Sequence, residues 1–487
     1  NWARTFGKHD LSAMFLFQQS QKNYVGESAN NSEKALPYRH QGIAGRITYN
    51  YDNRYFVEGN FGYNGSENFS PNHRFGFFPS IAVGYVVSNE KFFAPIRDVV
   101  SMVKLKASYG LVGNDQIGGD RRFIYNETVI GGGKYYFGTT PSQYTSVRLG
   151  EFPNPNVGWE KAKKLNLGAD LSFFNQLNIS VDYFKENREG IFLQRKSIPM
   201  YVGLSTKPWV NIGKMRNSGI DASLEYHQPL GKDLHLTVRG NFTYARNRIM
   251  DQDEPDYAYT YMNRSGQMQW QKFGLVAAGL FQDQEDIDSW AKQSFGEVKP
   301  GDIKYLDLNG DGIVDNYDTK PIGYSDIPEI VYGFGFSLQW KAFDLSAFFQ
   351  GVAHVSFSTL TDQTQAFVGR NLKESSVFAD LYGNTWTPEN PGAKYPRMTT
   401  GAIDNNNQLS TFWMANGRYL RLKNLELGYT LPKRIANKIA MQSLRVYLSG
   451  VNLFTFSPFK LWDPDLQTGA TNYPNNRIIN LGLTIGF

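Results

Sequence analysis

From Leu234 to Ala245 apolar and polar residues alternate one for one. Leu234, Leu236, Val238, Gly240, Phe242 and Tyr244 fall on one side, His235, Thr237, Arg239, Asn241 and Thr243 on the other. A period of two is the spacing of a strand that meets an apolar phase on one face and a polar one on the other. The pattern recurs in Leu165, Leu167, Ala169, Leu171 and Phe173, and after a turn at Phe174-Asn175-Gln176 it returns in Leu177, Ile179, Val181 and Tyr183. Two such runs across a short polar turn predict a hairpin. Further strands are predicted at Val103–Tyr109, Ile220–Tyr226, Tyr332–Trp340, Phe343–Phe349, Leu444–Leu448 and Ile479–Phe487. One run slips phase: Leu420 and Leu422 share a face, then Leu425, Leu427 and Tyr429 do, which predicts a bulge near Asn424.

Connections between these runs alternate in length. Short turns (Asp52-Asn53-Arg54, Asn175-Gln176, Pro229 to Asp233, Lys341-Ala342) exchange with long polar stretches such as Gln116 to Trp159. A soluble β-sandwich or propeller would also alternate along its strands. The asymmetry of its connections separates an outer-membrane barrel, with brief periplasmic turns and long outer loops. Ala291 to Ile327, Val352 to Gly417 and Ser457 to Asn475 are then outer loops, and Leu431 to Ser443 a periplasmic turn. Antiparallel parity asks for one further strand, placed near Tyr257–Arg264 ahead of the strand around Gln269–Phe281, giving roughly sixteen in all, the first near Leu11–Gln19. Gly7 to Asp10 reads as a periplasmic turn, so the chain opens mid-strand. The fold class is all-β, a transmembrane antiparallel barrel.

Composition sharpens this picture. Among 487 residues, 41% are hydrophobic, only 20% charged and 15% aromatic, which suits a folded chain of many short strands with aromatic girdles. No run of about eighteen apolar residues occurs, so a spanning helix is excluded while spanning strands are not. A formal charge of +5 without a basic cluster argues against nucleic acid as a partner. The chain begins Asn1-Trp2-Ala3-Arg4 with no charged and apolar leader pattern, and it has no cysteine.

Several stretches stand out as an ordered set of motifs. They are Tyr49-Asn50-Tyr51-Asp52-Asn53-Arg54-Tyr55-Phe56, Asn64-Gly65-Ser66-Glu67-Asn68-Phe69, Arg74-Phe75-Gly76-Phe77-Phe78-Pro79-Ser80 and Lys106-Ala107-Ser108-Tyr109-Gly110 with Gly113-Asn114-Asp115. Asn211-Ile212-Gly213-Lys214-Met215-Arg216-Asn217, Tyr419-Leu420-Arg421-Leu422-Lys423-Asn424 and Gly450-Val451-Asn452-Leu453-Phe454 follow in the same order. As an ordered set they resemble the SusC-like (SusC/RagA) family of TonB-dependent transporters; the resemblance covers residues 1–487 and implies roughly the last sixteen strands of a 22-stranded plugged barrel. It implies import of a large nutrient, oligosaccharide or peptide, across the outer membrane of a Gram-negative bacterium. Energy would come from TonB, and a SusD-like surface lipoprotein would lid the barrel. The plug, the first strands and the TonB-contacting segment would precede residue 1, and without them the chain alone could not transport. An isolated set of strands would also leave unpaired edges in lipid. The alternative is a porin, adhesin or assembly scaffold whose long outer loops bind without energised transport; a preceding plug would discriminate.

The most specific chemical motif is Asp307-Leu308-Asn309-Gly310-Asp311-Gly312-Ile313-Val314-Asp315-Asn316-Tyr317-Asp318. Oxygen donors at alternate positions, a glycine at the sixth and an acid at the twelfth are the spacing of a calcium loop. Asp307, Asn309, Asp311, the Ile313 carbonyl, Asp315 and Asp318 would hold Ca2+, with Asp318 replacing the commoner Glu. No flanking helices are predicted, so a structural ion that stiffens an outer loop is expected rather than a regulatory EF-hand; the bland alternative is a solvated acidic turn. No His-Glu-x-x-His, Gly-x-Ser-x-Gly or phosphate-cradling glycine loop occurs, so no enzyme is expected. The Glu285 and Asp286 pair reads as solvated loop. Arg239, Lys104 and Lys106 fall on the polar face, where solvating the interior is favoured over guiding an acidic ligand. Tyr135, Tyr136, Trp386 and Trp413 fall on outer loops, where they suit sugar stacking, a lipoprotein contact or loop packing alike.

Overall fold

The computed structural model describes residues 1–25, 35–118, 121–204, 206–361, 364, 378–399, 401–439, 441–469 and 472–487. The sheet begins with β1 (Trp2–Phe6), β2 (His9–Lys22), β3 (Tyr38–Tyr51), β4 (Tyr55–Ser66), β5 (Phe75–Val86) and β6 (Val100–Asn114). It continues through β7 (Glu160–Phe173), β8 (Leu177–Gln194), β9 (Trp209–Pro229), β10 (Leu234–Asp251) and β11 (Ile330–Trp340). The last four are β12 (Phe343–Ala353), β13 (Tyr419–Thr430), β14 (Ser443–Phe456) and β15 (Ile478–Gly486). These fifteen strands belong to one sheet whose hydrogen-bonded neighbours follow chain order. Sequential antiparallel neighbours need only hairpin connections, and tight ones exist: Asp52 and Asn53 have φ 53° and 51°, Phe174 and Asn175 φ 53° and 55°. Left-handed geometry at both central residues matches the right-handed twist of the flanking strands.

The chain divides into two compact units, Asn1–Ile220 with Asn247–Asp256, and Asp221–Arg246 with Tyr257–Phe487. In the second unit the register sets Leu236, Leu338, Leu345, Leu427, Leu448 and Leu481 side by side across six strands. The adjacent row is Thr237, Ser337, Ser346, Glu426, Ser449 and Asn480. One sheet face is therefore apolar and the other polar. Leu427 and Leu448 are each 50% exposed and Leu481 79%, so the apolar face is the uncovered one, as for strands that face lipid. The first unit has the same split: Leu11, Tyr49, Val57, Val83, Ala107, Leu167 and Tyr183 form one row.

At the short-turn end of that unit the apolar face finishes in aromatic rings. Neighbouring centroids lie 4.9 Å apart for His9 and Tyr51, and 5.1 Å apart for the stacked Tyr55 and Tyr85. Such rings suit an interface where one end of a side chain is dry and the other wet.

The slip anticipated near Asn424 is present as a register shift between Leu422 and Asn424. Two expected strands are not part of the main sheet. Residues 257–264 carry only a turn of 3-10 helix at Thr260–Met262, and Gln269–Phe281 holds the short strands Lys272–Gly274 and Ala277–Leu280. Both short strands pair with other loop residues, Lys320–Ile322 and Ile303–Tyr305. Parity survives because two strands are lost together: residues 252–329 are one long connection between β10 and β11.

Candidate functional site

Residues 252–329 and 354–418 connect strands at the long-loop end of the second unit, and their described parts share a core. Leu275, Leu280, Ile303, Tyr305, Val314, Leu381, Tyr395 and Trp413 are buried against one another. The core has a charged centre. Asp302, 0% exposed, accepts from Arg397 Nε at 2.8 Å, Arg397 Nη2 at 3.1 Å, Asn406 Nδ2 at 2.9 Å and the Lys299 amide at 2.8 Å. Asn405 donates to the Ile303 carbonyl, the Tyr305 hydroxyl to the Asn405 carbonyl, and Trp413 Nε1 to the Asn406 carbonyl. Burial pushes the Tyr305 phenol well above its ordinary pKa. At the margin Asp380 accepts from Lys394 Nζ at 2.5 Å and the Tyr395 hydroxyl at 2.6 Å, and these bonds hold its carboxyl below the usual range.

A second clamp joins residues 457–469 to the sheet. Arg421, 1% exposed, reaches Asp463 at 2.5 Å, Asp465 at 2.9 Å and Thr455 Oγ1 at 2.9 Å. Phe459 and Trp462 of that loop pack edge-on at 4.6 Å, and Phe357 lies 5.0 Å from Phe459. Arg421 stands in the Tyr419-Leu420-Arg421-Leu422-Lys423-Asn424 stretch, but no local pattern reveals this role, since its acidic partners lie more than forty residues downstream.

The acidic loop 307–318 is part of this module, and Val314 inserts into its core. Asp307 accepts the amides of Gly310 (2.7 Å) and Gly312 (2.8 Å). Asp318, 0% exposed, accepts those of Leu308 (2.7 Å) and Asp315 (2.8 Å). Asn309 and Asp311 bond to each other at 2.9 Å, Asp311 accepts the Ile313 amide at 2.8 Å, and Asp315 accepts the Tyr317 amide at 2.7 Å. Gly310 and Gly312 have φ 77° and 84°, the left-handed conformation that the wrap requires. The structure thus winds the six expected residues into one loop. The donor chemistry, carboxylates and an amide oxygen, fits a hard divalent cation. The same oxygens also cap backbone amides, and among the described residues no three His, Cys, Asp or Glu side chains converge as a metal site. Tyr261 packs alongside, its hydroxyl donating to the Tyr317 carbonyl at 2.7 Å. Desolvation, then the charges of Asp318, Asp307 and Asp311, raise its pKa.

Trp413, for which sugar stacking, a lipoprotein contact and loop packing were all open, is 2% exposed and belongs to the core, and Trp386 packs against that core. Loop packing accounts for both. Tyr135 and Tyr136 are 57% and 61% exposed on a hairpin of Val129–Phe137 with Ser142–Leu149. Asp286 is ion-paired with Lys304 at 2.8 Å. On the polar sheet face Lys106 meets Asp170 at 2.7 Å and Asp182 at 3.5 Å, Arg239 meets Glu225 at 2.8 Å, and Lys104 lies over the Phe56 ring. Similarly, Arg445 is shared between Asp344 and Glu426 at 2.5 and 2.6 Å. These cations are largely balanced by local carboxylates.

Residues 1–453 match the family described as TonB dependent receptor-like, beta-barrel. The chain belongs to that family. TonB-dependent receptor P3 of Formosa agariphila is 30% identical over 472 residues, 91% of this chain and 45% of that protein. TonB-dependent receptor SusC of Bacteroides thetaiotaomicron is 27% identical over 470 residues, 91% of this chain and 43% of its own length. The chain spans less than half the length of these curated relatives. The solved RagAB peptide transporter superposes with a TM-score of 0.75 at 21% identity, covering 100% of this chain and 54% of that one. This likeness establishes the TonB-dependent receptor barrel fold. The family is one of outer-membrane receptors and transporters of Gram-negative bacteria, with SusC among its members.

Proposed function

We propose that this chain supplies most of the barrel wall of a SusC-like outer-membrane transporter. Completed by plug and early strands, it imports an oligosaccharide or peptide with energy from TonB and a surface lipoprotein lid. The observation that carries this reading is the register of the second unit, a leucine row beside a polar row of hydroxyl, carboxylate and amide side chains across six strands. An apolar outer face and a polar inner face suit a wall between lipid and a wet lumen. The folded loop module supports capture at the outer end: a core with a buried ion pair fixes loop positions that long solvated loops would not hold.

Uptake of labelled oligosaccharide and peptide pools by cells carrying the whole transporter tests this, with the proton gradient intact or collapsed. Polypeptides co-purifying from outer membranes are identified by mass spectrometry in parallel. Energy-dependent uptake with a plug-bearing segment and a lipoprotein supports the transporter. Gradient-independent passage, or a barrel with neither partner, sinks it in favour of a porin or adhesin.

The loop 307–318 is in this reading a structural Ca2+ site, held by Asp307, Asn309, Asp311, the Ile313 carbonyl, Asp315 and Asp318. A bound divalent cation would offset half of the charge of the four carboxylates in the short loop. Proteolysis of the whole transporter with calcium or with chelator tests it. Protection of residues 303–322 that is lost in Asp307→Ala is the expected result; identical digestion in both buffers refutes the site.

A further inference from the structure

In the first unit the apolar face ends abruptly towards the long-loop end. Its last fully apolar row is Phe17, Ile43, Tyr63 and Phe77. The next row on the same face is Gln19, Gln41, Gly65 and Phe75, and the one beyond is Gln21 and Arg39. Phe75 stacks on Tyr63 with centroids 5.2 Å apart, which fixes it to the outward side. With about 3.3 Å per residue and a strand tilt of roughly 40°, His9 to Phe17 rises on the order of 20 Å, close to the height of a lipid-facing band. The polar rows therefore sit at headgroup level.

A cavity of about 450 Å³ opens there, lined by Arg39, Arg74, Gln21, Gln41, Glu67 and Phe75 among others. Its charges do not balance. Glu67 is 3.6 Å from Arg39, whose Nε donates to Gln21 at 3.1 Å. Arg74 has no carboxylate partner among the described residues, and its buried Nε lacks any hydrogen-bond acceptor. His40 at the wall is already 3.3 Å from Asp115. Among the described residues the lining thus holds two arginines and one carboxylate, together with amide donors and acceptors and an aromatic ring. A guanidinium fork matches phosphate oxygens, amides match sugar hydroxyls, and an aromatic ring tolerates the apolar edge of a sugar or the start of an acyl chain.

We propose that this cavity binds the phosphorylated sugar headgroup of an outer-leaflet glycolipid, with Arg39 and Arg74 on the phosphate and Gln21 and Gln41 on the sugar. The acyl chains then lie along the Phe17, Ile43, Tyr63 and Phe77 row below. This inference rests on the outer-membrane placement proposed above.

The test uses the whole transporter purified from outer membranes, washed in detergent, with retained glycolipid counted per protein by native mass spectrometry. Wild type should retain phosphorylated glycolipid. Arg39→Gln with Arg74→Gln should retain about tenfold less, a loss typical of a bidentate charged contact. Glycolipid treated with phosphatase should rebind wild type about tenfold more weakly than untreated glycolipid. Glu67→Gln, which removes the competing carboxylate, should retain more; this gain does not arise from misfolding. Equal retention by the double variant, or complete displacement by millimolar inorganic phosphate, overturns the headgroup site while leaving the transporter reading intact. Absence of the protein from the outer-membrane fraction overturns both.

Discussion

The Arg397 guanidinium grips both carboxylate oxygens of Asp302, at 2.8 and 3.1 Å, across 95 residues of chain and inside a core where Asp302 has no solvent exposure. Removing one member strands a charge out of water, a defect that costs about 3–5 kcal/mol. Arg397→Met should therefore loosen residues 272–325 and 378–416 together, read as faster amide exchange in both. Arg397→Met combined with Asp302→Asn should recover part of the loss, because no uncompensated charge remains.

Asp380 gives the loop module an acid limit. Its carboxyl is held low by Lys394 and Tyr395, so it binds its proton less readily folded than unfolded. The contribution is present above the unfolded pKa of about 4 and disappears as pH falls through the lower folded value. Proteolysis of the module should accelerate below about pH 4 in wild type. Asp380→Asn should flatten that dependence; an unchanged acid profile would show that Asp380 contributes nothing. Because the group is 37% exposed, the effect is a shift in onset rather than a collapse.

Leu448 and Ser449 are chain neighbours on opposite sheet faces. Leu448→Lys places a charge in the leucine row and should destabilise the bilayer-inserted transporter by about 2–4 kcal/mol, whereas Ser449→Lys on the polar face should be nearly neutral. Denaturant unfolding from vesicles measures both. Equal costs would contradict the assignment of the two faces.

Arg421 holds residues 457–469 through a planar fork onto two aspartates. Lysine keeps the charge but not the fork, so Arg421→Lys should release that loop to protease at a cost of about 1–2 kcal/mol. Asp463, with 16% of its side chain exposed, and Asp465, with 37%, can rehydrate, which keeps the cost below that of breaking the Asp302 pair.

Alternation along Leu234–Ala245, Leu165–Tyr183 and Ile479–Phe487, and the bulge at the Leu422 to Leu425 phase break, were legible in the chain because a strand writes its two environments into alternate residues. The calcium-type spacing was equally legible, being local. The segment 269–281 misled because Leu275, Ala277 and Leu280 serve a loop core rather than lipid, and 257–264 because Tyr259 and Tyr261 pack against Tyr317 of the acidic loop; a short run does not carry the identity of its neighbour. The same ambiguity kept Trp386 and Trp413 open as ligand, partner or packing residues until their burial was visible.

Where a strand meets lipid, its alternation and its two faces are thus properties of the sequence by itself, since each depends on residues within about ten positions of one another. Partnership is different. That Asp302 meets Arg397, that Arg421 takes Asp463 and Asp465, and that Arg39 and Arg74 line one cavity with Glu67, all depend on residues brought together by register and loop closure. Composition places no constraint on which charge finds which, so only the tertiary structure decides it.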